Sequence, residues 1–247
     1  MANIVALIPA RGGSERVPNK NTTRLFCGHP LLAYCIEGAR QSGIFSKILV
    51  SSQDISALSV AAHYGADVIK RPDNFGTGAS PDIEWLTHTI ETLERQESEF
   101  DSFALLRLVN PFRTAATIQR AYAAWQLYGE GYDSLRAVER CHEHPGKMWR
   151  IINNTLVPVL LQPEPQPWHS SQYKTLPAVY VQNASLEIAW KKTVTEKKSL
   201  AGDVVLPFIT EGAEGFDINT LYDWETGERM VASGEAALPG IGVPTWA

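Results

Sequence analysis

Residues 3–21 read NIVALIPARGGSERVPNKN and join two different kinds of sequence. Residues 3–8 are apolar and rich in β-branched side chains, a pattern that predicts a short buried strand. The pair Gly12 and Gly13 follows directly, inside a cluster of cationic side chains that begins at Arg11. Glycines let a backbone approach a ligand closely, and their N–H groups can then hold phosphate oxygens. The stretch therefore predicts a phosphate-binding loop at the end of the first strand.

The charge of this loop comes from Arg11, Arg16 and Lys20. Lys20 is not preceded by glycine and is followed by Asn21, so the loop differs from the P-loop pattern of nucleotide-binding proteins. It also lacks the G-x-G-x-x-G pattern of dinucleotide sites. The alternative is a basic surface loop that contains a turn.

Outward from this loop, strand-like and helical patterns alternate through the first half of the chain. Predicted strands cover residues 3–8, 47–51, 67–70 and 103–109, and predicted helices cover 30–41, 54–64, 81–95 and 114–128. Asp54 and Ser80 are candidate N-caps of two of these helices. Such alternation predicts an α/β fold, with a mostly parallel sheet flanked by helices. Ligands bind beyond the carboxyl ends of such strands, so the loops that follow them should share one rim.

The sequence changes character after about residue 132. Residues 156–177 are rich in proline and glutamine, which indicates an extended arm of the kind that makes dimer contacts or covers a pocket. Strands are predicted again at 181–190 and 203–209, and a last helix at 220–232. We therefore expect one domain over residues 1–247, with an arm or dimerisation insert within 140–180.

Composition excludes several classes of protein. The chain has 22 Lys and Arg against 27 Asp and Glu, a net charge of −5, which argues against a general nucleic-acid binder. No apolar run approaches the roughly 18 residues of a membrane span, and no signal peptide is expected. The 3 cysteines lack a CxxC spacing, which is typical of a reduced cytoplasmic protein.

The motif IPARGGSERVPNKN at residues 8–21 resembles the opening motif of the N-acylneuraminate cytidylyltransferases (CMP-sialic acid synthetases). Glu15 stands where that family usually has lysine. The likeness continues in order through HPLLAYCIEGARQSG at 29–43, KILVSSQD at 47–54, HPGKMW at 144–149 and DINTLYDW at 217–224. The resemblance implies a Rossmann-like nucleotidyltransferase fold.

The implied reaction is nucleotidyl transfer. The anomeric hydroxyl of an acidic sugar would attack the α-phosphate of CTP, or of another nucleoside triphosphate, and pyrophosphate would leave. Charge neutralisation and in-line positioning matter more than covalent catalysis in such a reaction. Arg11 and Lys20 would hold the triphosphate and stabilise developing charge. The remaining nucleotide-binding candidates of the loop are Gly12, Gly13, Ser14, Arg16 and Asn21, the last of which would contact the ribose or base.

The resemblance also places Arg71 and Ser80 in the segment that reads the base. A surface salt bridge is the alternative role for Arg71. A helix cap is the alternative for Ser80.

A magnesium cofactor is implied as well. The family holds the ion with a late Asp-x-Asp pair, which here becomes Asp217 and Asn219. Asp217 is the expected carboxylate, for both catalysis and metal binding, while Asn219 offers only a neutral oxygen. Alternatively, these two residues cap the last predicted helix.

Three residues are candidates for binding the sugar. Arg107 stands where the family commonly has glutamine, and it can pair with a sugar carboxylate or join a salt bridge. Gln182 and Asn183 can bind sugar hydroxyls, or they form the polar start of a buried strand. These departures suggest a nonulosonic acid of the legionaminic or pseudaminic type, or a base other than cytosine.

Two other functions stay open. Asn219 and Glu15 leave room for a non-catalytic nucleotide-binding relative. A nucleotidyltransferase for neutral sugar 1-phosphates would not need a carboxylate-binding Arg107. The family and the proline-rich arm together predict a homodimer.

Overall fold

The centre of the protein is a seven-stranded sheet with helices packed on it. The computed structural model describes residues 3–13, 16–77, 80–160 and 167–246. The strands are β1 (Ile4–Pro9), β2 (Ile48–Ser52), β3 (Asp67–Lys70), β4 (Ser102–Leu105), β5 (Ser134–Arg140), β6 (Trp149–Ile152), β7 (Thr155–Pro158), β8 (Tyr180–Trp190) and β9 (Val205–Ile209). The helices are α1 (Leu31–Ser42), α2 (Ile55–His63), α3 (Asp82–Arg95), α4 (Ala115–Tyr128), α5 (Lys191–Thr195) and α6 (Leu221–Ser233).

The strand order of the sheet is β3-β2-β1-β4-β8-β5-β9. Strand β1 pairs in parallel with both β2 and β4, and β2 pairs in parallel with β3. Strand β8 runs antiparallel to β4, with Leu105 opposite Glu187. The predicted mostly parallel α/β sheet is confirmed, and the antiparallel β8 is an addition that the alternating pattern did not indicate.

Strand β1 is buried on both faces of the sheet, which explains its continuous apolar sequence. Ile4, Ala6 and Ile8 belong to one core cluster, with residues of α1 and α2. Val5 and Leu7 belong to a second cluster, which contains residues of α3. The period of two along a strand sends successive side chains to opposite faces, so one short run joins two cores.

Three local predictions concern the N-caps of α2 and α3 and the length of β4. Asp54 is the N-cap of α2, and its side chain accepts a hydrogen bond from the Ser56 backbone N–H at 2.9 Å, as predicted. Ser80 is not the N-cap of α3 as predicted, because Pro81 holds that position and no side chain caps that end of the helix. The predicted strand 103–109 is also too long, since β4 ends at Leu105.

The described residues fall into two compact units, Met1–Ala137 with Asn183–Ala247, and Val138–Gln182. The second unit contains the antiparallel hairpin β6–β7, which the sequence analysis missed. Asn153 and Asn154 form its turn with φ values of 49° and 60°, the left-handed conformation that asparagine tolerates and that tight hairpins require. No helix in the described ranges is both long enough and apolar enough to span a bilayer.

Candidate functional site

A cavity of about 410 Å³ opens in the first unit, beside the carboxyl ends of parallel strands. Its walls come from the loops after β1, β3 and β4 and from the first turns of α3, as the rim prediction requires. The residues that line it are Pro9, Arg11, Arg16, Lys20, Asn21, Arg71, Phe75, Thr77, Ser80, Asp82, Trp85, Arg107, Leu108 and Val109. Leu108 and Val109 reach the cavity because the chain leaves the sheet after β4.

The cavity has a strong excess of positive charge. Of its lining residues, Arg11, Arg16, Lys20, Arg71 and Arg107 are cationic, and Asp82 is the single acid within the described part of the wall. Among the described residues, no salt bridge involves Arg11, Arg16 or Lys20. Their charge is therefore available to an anionic ligand.

Lys20 is the most buried of the loop's cationic residues, with 5% of its surface exposed. Its ammonium donates a hydrogen bond of 2.6 Å to the carbonyl oxygen of Ile218. The pKa of Lys20 is lowered from 10.5 to about 8, mainly by burial and also by Arg16 and Arg11, against the opposing effects of Asp217 and Asp223. A bound polyanion would reverse this shift, because it offsets the neighbouring positive charges.

The backbone geometry explains why glycine occupies both positions 12 and 13. Gly13 has φ +69°, in the left-handed region that glycine enters without strain. A Cβ atom at Gly12 would lie 3.1 Å from both Cβ and Oδ2 of Asp54, the N-cap of α2. The loop therefore passes close to the start of a helix, where a side chain does not fit without displacement. Ser14, the predicted phosphate-binding hydroxyl, lies outside the described residues.

Asn219 contacts the cationic loop. Its Oδ1 atom accepts a hydrogen bond from Arg16 Nη2 at 3.0 Å. This contact shows where the amide oxygen points without a ligand, and the role of Asn219 as a metal ligand stays a prediction. The same contact orients Arg16.

The alternative of a helix cap at Asp217 and Asn219 is also wrong. Thr220 is the N-cap of α6, and it forms a capping box with Asp223. Oδ2 of Asp217 accepts a hydrogen bond of 3.0 Å from the Ala184 backbone N–H on β8. The Asp217 carboxylate is close enough to Lys20 to raise its pKa, which places it beside the phosphate-binding loop.

The donor chemistry for a divalent cation is sparse. The described residues contain no group of three or more His, Cys, Asp or Glu side chains that could hold a metal ion. Mg²⁺ commonly keeps several waters and takes only one or two protein carboxylates together with substrate phosphates. Asp217 fits such a site as its single protein carboxylate.

Arg71 is a buried cation without an ion pair among the described residues. Only 3% of its surface is exposed, and Nη2 donates to Oε1 of Gln53 at 3.2 Å. Its Nε and Nη1 atoms are buried and have no hydrogen-bond partner. Burial lowers the pKa of Arg71 to about 10, although Asp82 acts against the shift. The alternative of a surface salt bridge is therefore wrong, and two buried donor atoms of Arg71 have unsatisfied hydrogen-bonding capacity beside the cavity.

Asn21 and Ser80 line the same cavity but differ in whether their side chains already have hydrogen-bond partners. Oδ1 of Asn21 is buried without a hydrogen-bond partner. The Ser80 hydroxyl donates to the carbonyl oxygen of Asn74 at 2.6 Å and contacts Oγ1 of Thr77 at 2.6 Å. Ser80 thus closes its own loop, while Asn21 offers an acceptor to a ligand.

Arg107 is held by two acids. Its Nη2 atom lies 2.6 Å from Oδ2 of Asp82 and 3.0 Å from Oε1 of Glu187. Burial works against the charged form, but Glu187 and Asp82 outweigh it and raise the pKa of Arg107. Of the two alternatives for this residue, the structure shows the salt bridge, and Arg107 also lines the cavity, so its pairing with a sugar carboxylate stays a prediction. The sequence analysis missed Asp82 and Glu187, because no motif links them to Arg107.

The predicted sugar-binding residues Gln182 and Asn183 both lie in β8. Asn183 Nδ2 donates to Thr210 Oγ1 at 2.8 Å, and Asn183 Oδ1 accepts from the Ser185 N–H at 3.2 Å. This amide therefore stabilises the strand, as the alternative proposed. Gln182 is exposed and belongs to the second unit.

Comparison with known proteins decides the family. A family model described as cytidylyltransferase matches residues 5–102. A CMP-N,N'-diacetyllegionaminic acid synthase of Legionella pneumophila is 31% identical over 239 residues, which cover 95% of this chain and 99% of the relative. The chain belongs to the N-acylneuraminate cytidylyltransferase family. The resemblance in the opening motif is thereby confirmed.

Other members of this family match less completely. An N-acylneuraminate cytidylyltransferase of Escherichia coli is 30% identical over 222 residues, which cover 90% of this chain and 50% of the relative. A pseudaminic acid cytidylyltransferase of Campylobacter jejuni is 37% identical over 119 residues, 48% of this chain and 51% of the relative. The chain thus spans nearly all of the Legionella protein and about half of these two cytidylyltransferases.

Solved structures support the nucleotidyltransferase fold. CMP:2-keto-3-deoxy-manno-octonic acid synthetase, solved in complex with CTP, has a TM-score of 0.66 at 14% identity and covers 94% of this chain and 100% of its own. A 4-diphosphocytidyl-2C-methyl-D-erythritol synthase from Anaerococcus prevotii has a TM-score of 0.63 at 11% identity, over 94% of this chain and 99% of its own. At these identities the likeness concerns the fold.

Proposed function

We propose that this protein transfers CMP from CTP to the anomeric hydroxyl of a nonulosonic, sialic-type acid and releases pyrophosphate. One observation carries the proposal. Arg11, Arg16 and Lys20 line a single cavity and form no salt bridge among the described residues, and Asp217 and Asp223 offset only part of the charge around Lys20, whose pKa stays lowered. Three clustered cationic groups repel one another, and a triphosphate is the anion that removes this repulsion best.

The cavity also suits a pyrimidine base. Arg71 offers two unpartnered donors and Asn21 one unpartnered acceptor. The hydrogen-bonding edge of cytosine has two acceptors, O2 and N3, beside its N4 amino donor. Donors from Arg71 and an acceptor from Asn21 match this pattern. Burial without partners is costly for polar groups, so a ligand that satisfies them gains affinity and specificity.

Phosphoryl transfer at this site relies on charge and position. The bond that forms joins the anomeric oxygen of the sugar to the α-phosphorus, the bond that breaks joins the α-phosphorus to the bridging oxygen of pyrophosphate, and the proton of the anomeric hydroxyl leaves to water. Arg11 and Lys20 stabilise negative charge on the α-phosphate and on the leaving group. Asn219, outside the loop, accepts a hydrogen bond from Arg16 and so restrains the direction of that guanidinium. The backbone at Gly12 and Gly13 leaves space for phosphate oxygens.

We also propose that Mg²⁺ accompanies the triphosphate, with Asp217 as its protein carboxylate. Bound there, the ion would neutralise phosphate charge. The Asp217→Asn variant tests this. The Mg²⁺ concentration for half-maximal activity should rise about tenfold or more, while Asp203→Asn, in an exposed ion pair with Lys197, should leave it unchanged. An unchanged requirement in Asp217→Asn would remove Asp217 from the metal site.

The second unit suggests the oligomeric state. Its hairpin β6–β7 exposes Ile151 at 77% and Leu156 at 59%, and an isolated two-stranded hairpin is marginally stable. We propose that a second copy of the chain covers this apolar hairpin, so that the protein is a homodimer. Light scattering at micromolar concentration should give twice the chain mass, and Ile151→Asp with Leu156→Asp should give the monomer mass.

We also propose a cytoplasmic location, where an enzyme that consumes CTP is expected to work.

The catalytic proposal is tested by pyrophosphate release. The protein is incubated with Mg²⁺, each of the four nucleoside triphosphates, and N-acetylneuraminic, legionaminic and pseudaminic acids in turn. We expect release with CTP and at least one of these acids. Release only with sugar 1-phosphates would favour the neutral-sugar alternative, and tight CTP binding without turnover would favour a non-catalytic relative.

A further inference from the structure

Asp82, in the first turn of α3, uses both carboxylate oxygens at the cavity wall. Oδ1 accepts a hydrogen bond of 2.9 Å from the indole Nε1 of Trp85, and Oδ2 accepts one of 2.6 Å from Nη2 of Arg107. The carboxylate therefore joins a neutral aromatic donor on one side to a cationic donor on the other.

The Arg107 side of this arrangement is anchored in the sheet. Arg107 also donates to Glu187 on β8, at 3.0 Å from Nη2 and 3.3 Å from Nε. Glu187 in turn accepts a hydrogen bond from Arg136 on β5. Charges of opposite sign thus alternate along Arg136, Glu187, Arg107 and Asp82. This partly buried chain fixes the position of Asp82 more firmly than an exposed ion pair would.

The Trp85 side leads to Arg71. The Arg71 guanidinium carbon lies 5.8 Å from the centre of the Trp85 ring, and both residues are almost fully buried. Within the described residues, the side chain of Arg71 also donates a hydrogen bond to Gln53, and Asp82 acts on its charge directly as well. The rotation of the indole therefore helps to set the plane of the guanidinium whose Nε and Nη1 have no partner.

We propose that Asp82 is a positioning residue for base recognition: it fixes Trp85, and through Trp85 it holds Arg71 ready for the pyrimidine of CTP. This inference rests on the proposed function, because it assigns a cytosine to Arg71. It gives the salt bridge of Arg107 a purpose, since Arg107 anchors Asp82 and does not itself touch the base.

The test is a set of variants measured for CTP affinity by calorimetry and for steady-state kinetics. Asp82→Ala should weaken CTP binding about tenfold, the loss expected for one buried hydrogen bond, and should leave the KM for the sugar within about twofold. Asp82→Asn keeps an oxygen for the indole and should restore most of the CTP affinity. Asp203→Ala, at an exposed carboxylate, is the matched control and should behave as the wild type.

A double-mutant cycle shows whether Asp82 acts through the indole. Trp85→Phe retains a ring beside Arg71 but removes the N–H group. If the proposal is right, Asp82→Ala adds little to the loss already caused by Trp85→Phe. Additive losses, or CTP affinity unchanged in Asp82→Ala, would overturn it. Equal losses for CTP and the sugar would also overturn it, since they indicate a general structural role. Wild-type protein that fails to bind CTP would instead refute the proposed function.

Discussion

Lys20 and Ile218 are joined by a buried hydrogen bond of 2.6 Å, across 198 positions of sequence. The donor belongs to the cationic loop after β1, and the acceptor to the segment that leads into α6. This bond brings the loop beside Asp217, the neighbour of Ile218 and the carboxylate assigned to Mg²⁺. Through it, a single ammonium links the two segments that we propose to hold the triphosphate and its metal ion.

Lys20→Ala should lower kcat by about 100-fold or more, because a positioned charge at a developing phosphate anion contributes on that scale. The measurement is steady-state pyrophosphate release with saturating CTP. Lys47→Ala is the matched control, since Lys47 is exposed and its ammonium donates to Ser98. Full activity in Lys20→Ala with an intact fold would show that Lys20 does not act at the α-phosphate.

CTP binding should take up a proton at about pH 9. In the protein without CTP, Lys20 loses its proton near pH 8, whereas an unperturbed lysine does so near pH 10.5. A bound triphosphate favours the charged ammonium and raises its pKa, so binding between these values is coupled to protonation, and affinity falls as pH rises through 8. Calorimetry at pH 9 in two buffers of different ionisation enthalpy measures the uptake. Lys20→Met should abolish it, and equal heats in both buffers for the wild type would contradict the prediction.

The lowered pKa of Lys20 also makes the free energy of unfolding depend on pH. Between about pH 8 and 10.5 the unfolded chain binds more protons at Lys20 than the folded chain does. The contribution of Lys20 to the free energy of unfolding therefore rises with pH across this window. The contribution of Lys20 is measured by urea unfolding of the wild type and of Lys20→Met, each at pH 7.5 and at pH 10. The wild type should gain stability relative to Lys20→Met at the higher pH, and a relative loss would be inconsistent with a lowered pKa.

Arg71→Lys should raise the KM for CTP about tenfold or more and reduce the preference for CTP over UTP. Lysine keeps the charge but lacks the planar set of donors that Arg71 offers from a buried position. Competition kinetics with both nucleotides measures the effect. Arg95→Lys, an exposed arginine at the end of α3, serves as the control. Unchanged discrimination would mean that Arg71 does not read the base.

Gly12→Ala should weaken CTP binding by severalfold, because its Cβ would crowd the Asp54 cap of α2 at 3.1 Å and displace the loop. Gly242→Ala, where an added Cβ meets nothing within 4 Å, should have no effect on affinity. Calorimetry measures both. Equal affinities in the two variants would show that the loop tolerates displacement.

The first half of the fold was predictable because its signals are local. A buried apolar run such as β1, the cap at Asp54 and the glycine pair each follow from a few adjacent residues. The cationic loop carries its chemistry in one contiguous motif, so its place at the cavity could be inferred as well. The hairpin β6–β7 also has a local signal, in Asn153 and Asn154, which the proline-rich neighbourhood obscured.

The site residues whose roles the sequence did not decide have partners that are distant in the sequence. Arg107 meets Asp82 and Glu187, which lie 25 and 80 positions away. Asn219 meets Arg16 across 203 positions. Propensity and spacing carry no information on such pairs, so the contacts of Arg107 and Asn219 required coordinates. The same holds for Arg71, whose burial follows from the packing of Trp85 and Gln53 around it.

The most direct test is a crystal structure of the protein with CTP and Mg²⁺. We expect phosphate oxygens within hydrogen-bonding distance of Arg11, Lys20 and the backbone at Gly12 and Gly13, and a cytosine edge on Nε or Nη1 of Arg71. A triphosphate bound away from this loop, in crystals that contain CTP, would contradict it.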